Sequence, residues 1–391
     1  MTRALRFSIE HYLALPLAAF IAIVWANTYA VSYFQIAQSL AFVVNDLGMA
    51  FALAYVAQEV VEAVLPGGSL YPWQSAVTPM IAAAGGLLGA AAVYVGYIRS
   101  GDEQILAPGW PVACAVDMLV CVGLGRAIFG RSVAASFLVL LVVASNVGGL
   151  AVISRHHLVA EVHPAAALLI VLAIGASAVL RRWGVRSVWP YLTLSGPPMW
   201  LGCYWTGLHP ALSLLPIVPF FTHSPRYLNL DRAVPERGTH RTARHFEYLF
   251  KYPVQVIAFL FGLVNVGARL QGFGTGTWAV LTASLAGRPL GILAAVGIAV
   301  AARQSLPPQI GWRDVVVIAL AASPGLAFGV FFATTVFPDG PLLIETKLGA
   351  ISTVVGVIVA LAAARLLHVG RFAKLVSPGE RLHAPLTEGH A

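Results

Sequence analysis

The sequence predicts an all-α integral membrane protein, a single polytopic domain over residues 1–391 with about twelve transmembrane helices. Apolar residues make up 59% of the 391-residue chain and charged residues only 10%. Soluble domains carry about 25% charged residues, so the chain lacks the polar surface that a protein in water needs. It also contains many runs of about 20 mostly apolar residues, the length with which an α-helix crosses a bilayer.

The apolar runs place the individual spans. The first run is long enough to cross and has no small-residue cleavage site, so it is interpreted as a retained helix and not as a signal peptide. The spans are expected near residues 11–32, 40–64, 75–98, 109–125, 133–153, 163–181, 187–203, 207–222, 249–271, 279–302, 314–336 and 342–367.

The basic residues support this arrangement. Twelve spans put both termini on one side with the even-numbered connections, and that side holds 19 of the 24 Lys and Arg residues. The odd-numbered connections hold three, and Arg269 and Arg288 fall within predicted helices. Because Lys and Arg collect in cytoplasmic loops, both termini are predicted to be cytoplasmic. The net charge of +8 is therefore explained by basic residues in the cytoplasmic connections of a protein in membrane lipid, and it does not indicate nucleic-acid binding.

The longest polar stretch covers residues 223–248 and divides the first eight predicted helices from the last four. It is basic and contains prolines. Its apolar residues are too few to bury a core, so we expect a cytoplasmic linker within the domain.

Two groups of spans, over 75–153 and 279–367, share a layout. Each has a middle segment interrupted by Gly and Pro, APGWPVACAVDMLV in the first and ALAASPGLAFGVFF in the second. Gly109 and Pro111 give the expected position of the first break. Interrupted helices at matching positions in two halves indicate an inverted repeat with a binding site at the membrane midplane.

Ionisable residues at bilayer depth cost at least about 2.5–3.5 kcal/mol each and are therefore candidate site residues. The Asp117 carboxylate could neutralise half-helix N-termini, face an ion, or serve as a structural counter-charge. Arg288, at mid-depth of the tenth predicted span, could compensate half-helix C-termini or pair with an anion. Asp46 and Glu59 are 13 residues apart on the second predicted helix, so they are expected near its outer and cytoplasmic ends.

Other polar residues carry weaker signals. Ser145 and Asn146 lie together in the fifth predicted helix, where polar pairs often join neighbouring helices. His156, His157 and His163 cluster near an outer loop, but no cysteine or carboxylate completes a metal site, so no metal or cofactor is expected. No P-loop, GxSxG, HExxH or Rossmann glycine pattern occurs, so the sequence does not indicate an enzyme.

Six blocks stand in a distinctive order: VVNDLGMAF…QEV, GWPVACAVDM, FLVLLVVASNVG, the TGLHPAL run, LAGRPLGI and GLAFGVFFA. In order and spacing they resemble segments of the NhaA family of bacterial Na⁺/H⁺ antiporters, from about Trp25 to Leu367. The resemblance implies twelve helices, inverted repeats and two broken helices that cross at the midplane. It also implies a multi-pass protein of the bacterial inner membrane.

The resemblance extends to individual positions. Asp117 matches the aspartate of the family's broken fourth helix, Arg288 the basic residue of its G-K-P-L-G block, and His209 the histidine of its G-V-H-A block. Glu59 and Glu247 match acidic positions of the family's cytoplasmic pH-sensing region. Residues expected to serve in pH response or as structural charges are therefore Asp46, Glu59, Glu247 and His209.

The chain departs from the family in the fifth helix. Family members carry an Asp-Asp pair there, in an I-D-D-L-G run, that binds Na⁺ or Li⁺ in exchange for protons. Ser145 and Asn146 occupy the two positions here, and neither side chain titrates near neutral pH. Val116 also replaces a threonine beside Asp117. The short connection over Ala30–Ser39 replaces a hairpin through which family members often dimerise, so a homodimer is not expected to form through it.

Three functions remain open on the sequence alone. The first is exchange of Na⁺ or Li⁺ for H⁺, with Asp117 as the remaining carboxylate and Ser145 and Asn146 as neutral ligands. The second is transport of an anionic or neutral solute, or uncoupled facilitation, because loss of two acidic residues makes the cavity more positive. The third is a non-transporting sensor or scaffold, because a fold does not determine a function.

Overall fold

The computed structural model describes residues 13–154, 163–221, 242–307 and 309–373, and the regular secondary structure of these residues is helical throughout. Numbered along the chain, the helices are α1 Ala14–Thr28, α2 Ala30–Val64, α3 Gln74–Ser100, α4 Gln104–Cys114, α5 Met118–Phe129, α6 Val133–Ile153, α7 Pro164–Arg182, α8 Gly196–Trp205, α9 Thr242–Asn265, α10 Thr275–Ala301, α11 Trp312–Ala321, α12 Leu326–Val336, α13 Pro341–Ser352 and α14 Val355–Leu366. The predicted all-α membrane class is confirmed.

Fewer than twelve spans can be counted within the described residues. Within the described ranges, seven helical segments are long and apolar enough to cross a membrane: α2, α3, α6, α7, α9, α10, and α13 together with α14 over Pro341–Phe372. The count is nine if each of the two bent pairs is added as one span. The predicted count of about twelve is not confirmed. The helix predicted over 207–222 was wrong, because the described residues 207–221 hold only two short 3-10 helices, Pro210–Leu212 and Val218–Phe220. Three prolines within ten residues remove too many amide donors for an α-helix.

The predicted connection between the first two spans is itself helical. Helix α2 begins at Ala30 and runs without a gap to Val64, with a π-helical turn at Val43–Gly48. Tyr29 alone separates α1 from α2, with φ −133° and ψ 61°. No Pro or Gly occurs between Ala30 and Leu47, so the local sequence contains nothing that ends a helix.

Helix α9 corrects two predicted boundaries. The linker predicted over 223–248 ends earlier, because α9 begins at Thr242, while residues 222–241 lie outside the described part of the chain. The ninth span was predicted to reach residue 271, but α9 ends at Asn265. Arg269, placed within a helix by the sequence, therefore lies exposed on the irregular segment after α9.

Both predicted broken helices are present. The chain bends by 47° between α4 and α5 and by 50° between α11 and α12. The first break does not lie at Gly109 and Pro111, as predicted, but after Cys114. Pro111 stands in the first turn of the α-helical part of α4, where a missing N–H leaves no helical hydrogen bond unmade.

Helices α3 and α10, each of which precedes a broken helix, pack along a seam of glycines. Gly85 and Gly89 of α3 face Gly287 and Gly291 of α10, and a Cβ atom on Gly291 would overlap the Gly85 backbone. Small residues of this kind let membrane helices approach to backbone contact. The seam places Arg288, the residue after Gly287, directly against α3.

Candidate functional site

The two helix breaks touch each other. The Asp117 N–H donates a hydrogen bond of 2.8 Å to the Pro324 carbonyl oxygen, so the first broken helix pairs with the second. Gly325 lies so close to Ala115 that a Cβ atom would be 2.7 Å from the Ala115 carbonyl oxygen. Only glycine fits there. Non-helical backbone at membrane depth needs such pairing because no water satisfies its polar groups.

The Asp117 carboxylate lies between two half-helix N-termini. Its side chain is fully buried and caps α5, where Oδ1 accepts a hydrogen bond from the Val120 N–H at 3.3 Å. Oδ2 accepts from the Ala327 N–H of α12 at 3.0 Å. One carboxylate therefore serves the positive ends of both half-helices that leave the crossing, a favourable position for a negative charge.

Arg288 faces the opposite kind of helix end. Its side chain is fully buried in the middle of α10, directly after a π-helical turn at Ala283–Gly287. Nη2 donates to the carbonyl oxygens of Ala113 and Ala115, both at 2.9 Å, where α4 ends. Nε and Nη1 have no hydrogen-bond partner among the described residues. A permanent positive charge thus lies at the negative end of α4.

Ser145 and Asn146 are buried in α6, which packs against α5 and α3. The Asn146 amide donates to the Val142 carbonyl of its own helix at 3.0 Å. Asn146 Oδ1 and Ser145 Oγ make no hydrogen bond within the described structure. Two neutral oxygens are therefore available on α6, although no hydrogen bond joins them to Asp117 or Arg288 there.

The described residues contain no group of three or more His, Cys, Asp or Glu side chains arranged as a metal site. The ionisable groups that the described structure places at the crossing are instead one carboxylate, Asp117, and one guanidinium, Arg288. Of these two groups, only the carboxylate offers the oxygen ligands that hard cations take.

Comparison with known sequences agrees with this geometry. The family model described as "Na+/H+ antiporter 1" matches residues 7–367. The chain belongs to this Na⁺/H⁺ antiporter family. The resemblance that the sequence blocks carry is therefore confirmed, and the two bent helix pairs agree with the fold that it implies.

Individual relatives cover most of the chain. A protein of Desulfitobacterium hafniense (strain DSM 10664 / DCB-2), named Na(+)/H(+) antiporter NhaA, is 34% identical over 94% of this chain and 97% of its own length. The protein of the same name from Geobacter metallireducens is 37% identical over 85% of this chain and 88% of its own length. Na(+)/H(+) antiporter NhaA 1 of Pelobacter propionicus is 34% identical over 95% and 100%. These names describe transporters, and they do not favour another cargo or a non-transporting scaffold.

Two further residues of the antiporter chain, Asp46 and His209, form a buried pair. Asp46 lies in the π-helical turn of α2, and its Oδ1 is 4.0 Å from His209 Nε2. His209 Nδ1 accepts a hydrogen bond from the Ala211 N–H at 3.2 Å. Its ring stands edge-on against Phe331 of α12, with ring centroids 5.4 Å apart. The pair therefore contacts the second broken helix away from its break.

The remaining predicted acidic residues lie elsewhere. Glu59 of α2 forms an ion pair with Arg126 in the last turn of α5, and both side chains are about 30% exposed. Glu247 is half-buried in the second turn of α9. The structure thus gathers Asp117 and Arg288 at the crossing, pairs Asp46 with His209, and leaves Glu59 and Glu247 outside both groups.

Sequence reasoning missed two contacts between distant residues. The Asn45 and Asn265 side-chain amides bond reciprocally, at 2.8 and 3.2 Å, and join α2 to the end of α9. The Thr353 hydroxyl accepts from the Gly325 N–H at the second break. Neither Asn45 nor Thr353 is ionisable or lies at a predicted helix break, so a search for charges and breaks did not select them.

Proposed function

We propose that this chain exchanges Na⁺ or Li⁺ for H⁺ across the bacterial plasma membrane by alternating access, with Asp117 as the group that binds either ion. The observation that carries the proposal is the position of the Asp117 carboxylate. It is fully buried and accepts N–H bonds from both α5 and α12 at the crossing. The membership of the chain in a Na⁺/H⁺ antiporter family supports Na⁺ and H⁺ as the two exchanged ions.

Competition at one carboxylate explains how the two fluxes are coupled. The anionic form attracts a cation and accepts both backbone N–H bonds. Protonation removes the charge and converts one oxygen into a donor that faces another donor. The cation then loses its counter-charge, and the bond that joins Asp117 to Val120 or Ala327 weakens. Exchange of one ion for the other therefore changes how tightly the two broken helices are held.

Neutral oxygens complete the proposed site. Ser145 Oγ and Asn146 Oδ1, which have no hydrogen-bond partner among the described residues, are suitable cation ligands. Arg288 keeps its charge through the cycle and holds the end of α4 through the Ala113 and Ala115 carbonyls. In this assignment Arg288 preserves the crossing while Asp117 changes its protonation state.

His209, Asp46, Glu59 and Glu247 are proposed to adjust the exchange to pH or to serve as structural charges. His209 gives the clearest case. Its Nδ1 accepts from the Ala211 N–H, so a neutral ring presents Nε2–H to Asp46. A second proton on Nδ1 would oppose the Ala211 donor and disturb the contact of the ring with Phe331 of α12.

The chain is proposed to act as one polytopic domain with both termini in the cytoplasm. The distribution of 19 of the 24 basic residues supports this orientation. The linker predicted over 223–248 is proposed to lie on the same cytoplasmic side.

The function is tested in inside-out vesicles loaded with a fluorescent ΔpH dye. Addition of Na⁺ or Li⁺ is expected to reverse the respiration-driven quench in vesicles that contain the chain, whereas K⁺ is expected to do so weakly. Vesicles from a strain without the chain are the control. No response to Na⁺ or Li⁺ from mildly acidic to alkaline pH would contradict the proposal.

A further inference from the structure

The last membrane segment is interrupted at the level of the crossing. Helix α13 ends at Ser352 and α14 begins at Val355. The residue directly after α13, Thr353, is fully buried and lies in a turn. This turn packs against the second helix break, because a Cβ atom on Gly356 would be 3.5 Å from Pro324 Cγ.

The Thr353 hydroxyl has both of its main hydrogen-bonding roles filled. It donates to the Ala350 carbonyl oxygen at 2.6 Å and accepts from the Gly325 N–H at 2.9 Å. Because the hydroxyl carries a single proton, the bond to Ala350 turns its lone pairs toward Gly325. The contact is therefore directional, and an apolar side chain of the same size cannot replace it.

Gly325 stands immediately before α12 and has no side chain with which to cap that helix. The N–H groups at this N-terminus, which have no partner within the helix, donate hydrogen bonds to side chains of two other spans. The Thr353 hydroxyl accepts a hydrogen bond from the Gly325 N–H, and the Asp117 carboxylate accepts one from the Ala327 N–H two residues later. The position of one bond fixes the position of the other, because both amides belong to the first turn of the same half-helix.

We infer that Thr353 is a positioning residue for the exchange, which sets the cation affinity of Asp117 by holding the N-terminus of α12. The inference rests on the proposed function of Asp117. During exchange, the bond between Asp117 and Ala327 changes with the ion that is bound. The bond between Thr353 and Gly325 does not involve an ionisable group, and it keeps α12 in register when the carboxylate releases its partner.

The chain offers a matched control in the same segment. Thr346 is also fully buried, but its hydroxyl donates only to the Leu342 and Leu343 carbonyls of its own helix, at 2.8 and 3.1 Å. Thr353→Val and Thr346→Val remove the same atom at nearly constant volume. Thr353→Ser restores the hydroxyl.

The test measures the Na⁺ concentration that gives half-maximal exchange in vesicles and half-maximal thermal stabilisation of the purified protein. Thr353→Val is expected to raise both by about tenfold, equal to about 1.4 kcal/mol, with a smaller change in the maximal rate. Thr353→Ser and Thr346→Val are expected to remain within about twofold of the wild type.

Equal half-saturation values for Thr353→Val and Thr346→Val would overturn the inference. So would a Thr353→Val variant that loses only maximal rate or folded yield, because that result assigns a purely structural role. A wild type that binds Na⁺ without exchanging it contradicts the proposed function, while the stabilisation curves still decide the role of Thr353. A wild type that neither exchanges nor binds Na⁺ contradicts both.

Discussion

The Asp117 carboxylate and the Ala327 backbone amide, 3.0 Å apart, join one broken helix to the other. The bond connects an ionisable side chain with the N-terminus of a half-helix. In a protein without the aspartate pair that the family carries on its fifth helix, this contact is the most direct route by which a proton could alter the structure at the crossing.

Replacement of Arg288 by Met is expected to destabilise the protein strongly. The Ala115 carbonyl would lose the Arg288 donor in a buried region, at about 1–3 kcal/mol for a group left without a partner. The Ala113 carbonyl would keep only the Ser284 hydroxyl at 3.4 Å. Thermal unfolding in detergent measures the change. Arg313→Met, at an exposed residue in the first turn of α11, is the control and is expected to be near neutral. Equal melting temperatures for the two variants would contradict the stabilising role assigned to Arg288 at the end of α4.

The glycine seam between α3 and α10 predicts opposite outcomes for two similar substitutions. Gly291→Ala places a methyl group against the Gly85 backbone, so we expect a loss of about 1–3 kcal/mol of stability. Gly297→Ala, in the same helix, adds a methyl group that meets no atom within 4 Å beyond its chain neighbours and its own helix backbone. Because Ala favours helices over Gly, that variant is expected to be neutral or slightly more stable. Melting temperatures in the opposite order would contradict the observed packing.

Part of this arrangement could be predicted from the sequence because its signals are local. Asp117 and Arg288 are charges within apolar runs, and the Ser323-Pro324-Gly325 sequence marks a break by its composition. The break beside Asp117 was misplaced, because Pro111 looked disruptive but stands where a helix accepts proline. Tertiary contacts enforce the actual break after Cys114, chiefly the bond from Asp117 to Pro324.

The rest depends on contacts between residues far apart in the chain. Nothing in the sequence indicates that Asp46 contacts His209 or that Gly325 contacts Thr353, because the partners are far apart in the chain. The continuous α2 was missed for a different reason. Ala30–Ser39 was expected to be a short connection in place of the family's hairpin, yet the segment contains no Gly or Pro that would end a helix.

The exchange is expected to be electroneutral. Asp117 is the one carboxylate that the described structure places at the crossing, and neither Ser145, Asn146 nor Arg288 changes its charge near neutral pH. One proton should therefore leave for each monovalent cation that binds. A potassium diffusion potential imposed with valinomycin on proteoliposomes should leave the rate unchanged. The same potential must drive protons through an added protonophore, which is the control, and a potential-dependent exchange rate would refute the expected stoichiometry.

Restoring the carboxylates of α6 is expected to strengthen exchange. Ser145→Asp combined with Asn146→Asp adds two carboxyl groups at positions where the wild type has neutral oxygens. Each carboxyl group is negatively charged when it binds a cation and neutral when it is protonated. The Na⁺-driven signal in vesicles should rise above that of the wild type. Ser145→Asn is the uncharged control and should not raise it. A double variant that folds but exchanges no faster would show that α6 does not face the transported ion.

The most direct test of the central claim compares Asp117→Asn and Asp117→Glu with the wild type in proteoliposomes, with uptake of radioactive sodium driven by an imposed pH gradient. Asn keeps the size and the hydrogen-bond acceptor but cannot titrate, whereas Glu keeps the carboxylate. Uptake is predicted to vanish in Asp117→Asn and to persist, with altered affinity, in Asp117→Glu. Uptake in Asp117→Asn at the wild-type rate would contradict the assignment of Asp117 as the group that exchanges Na⁺ for H⁺.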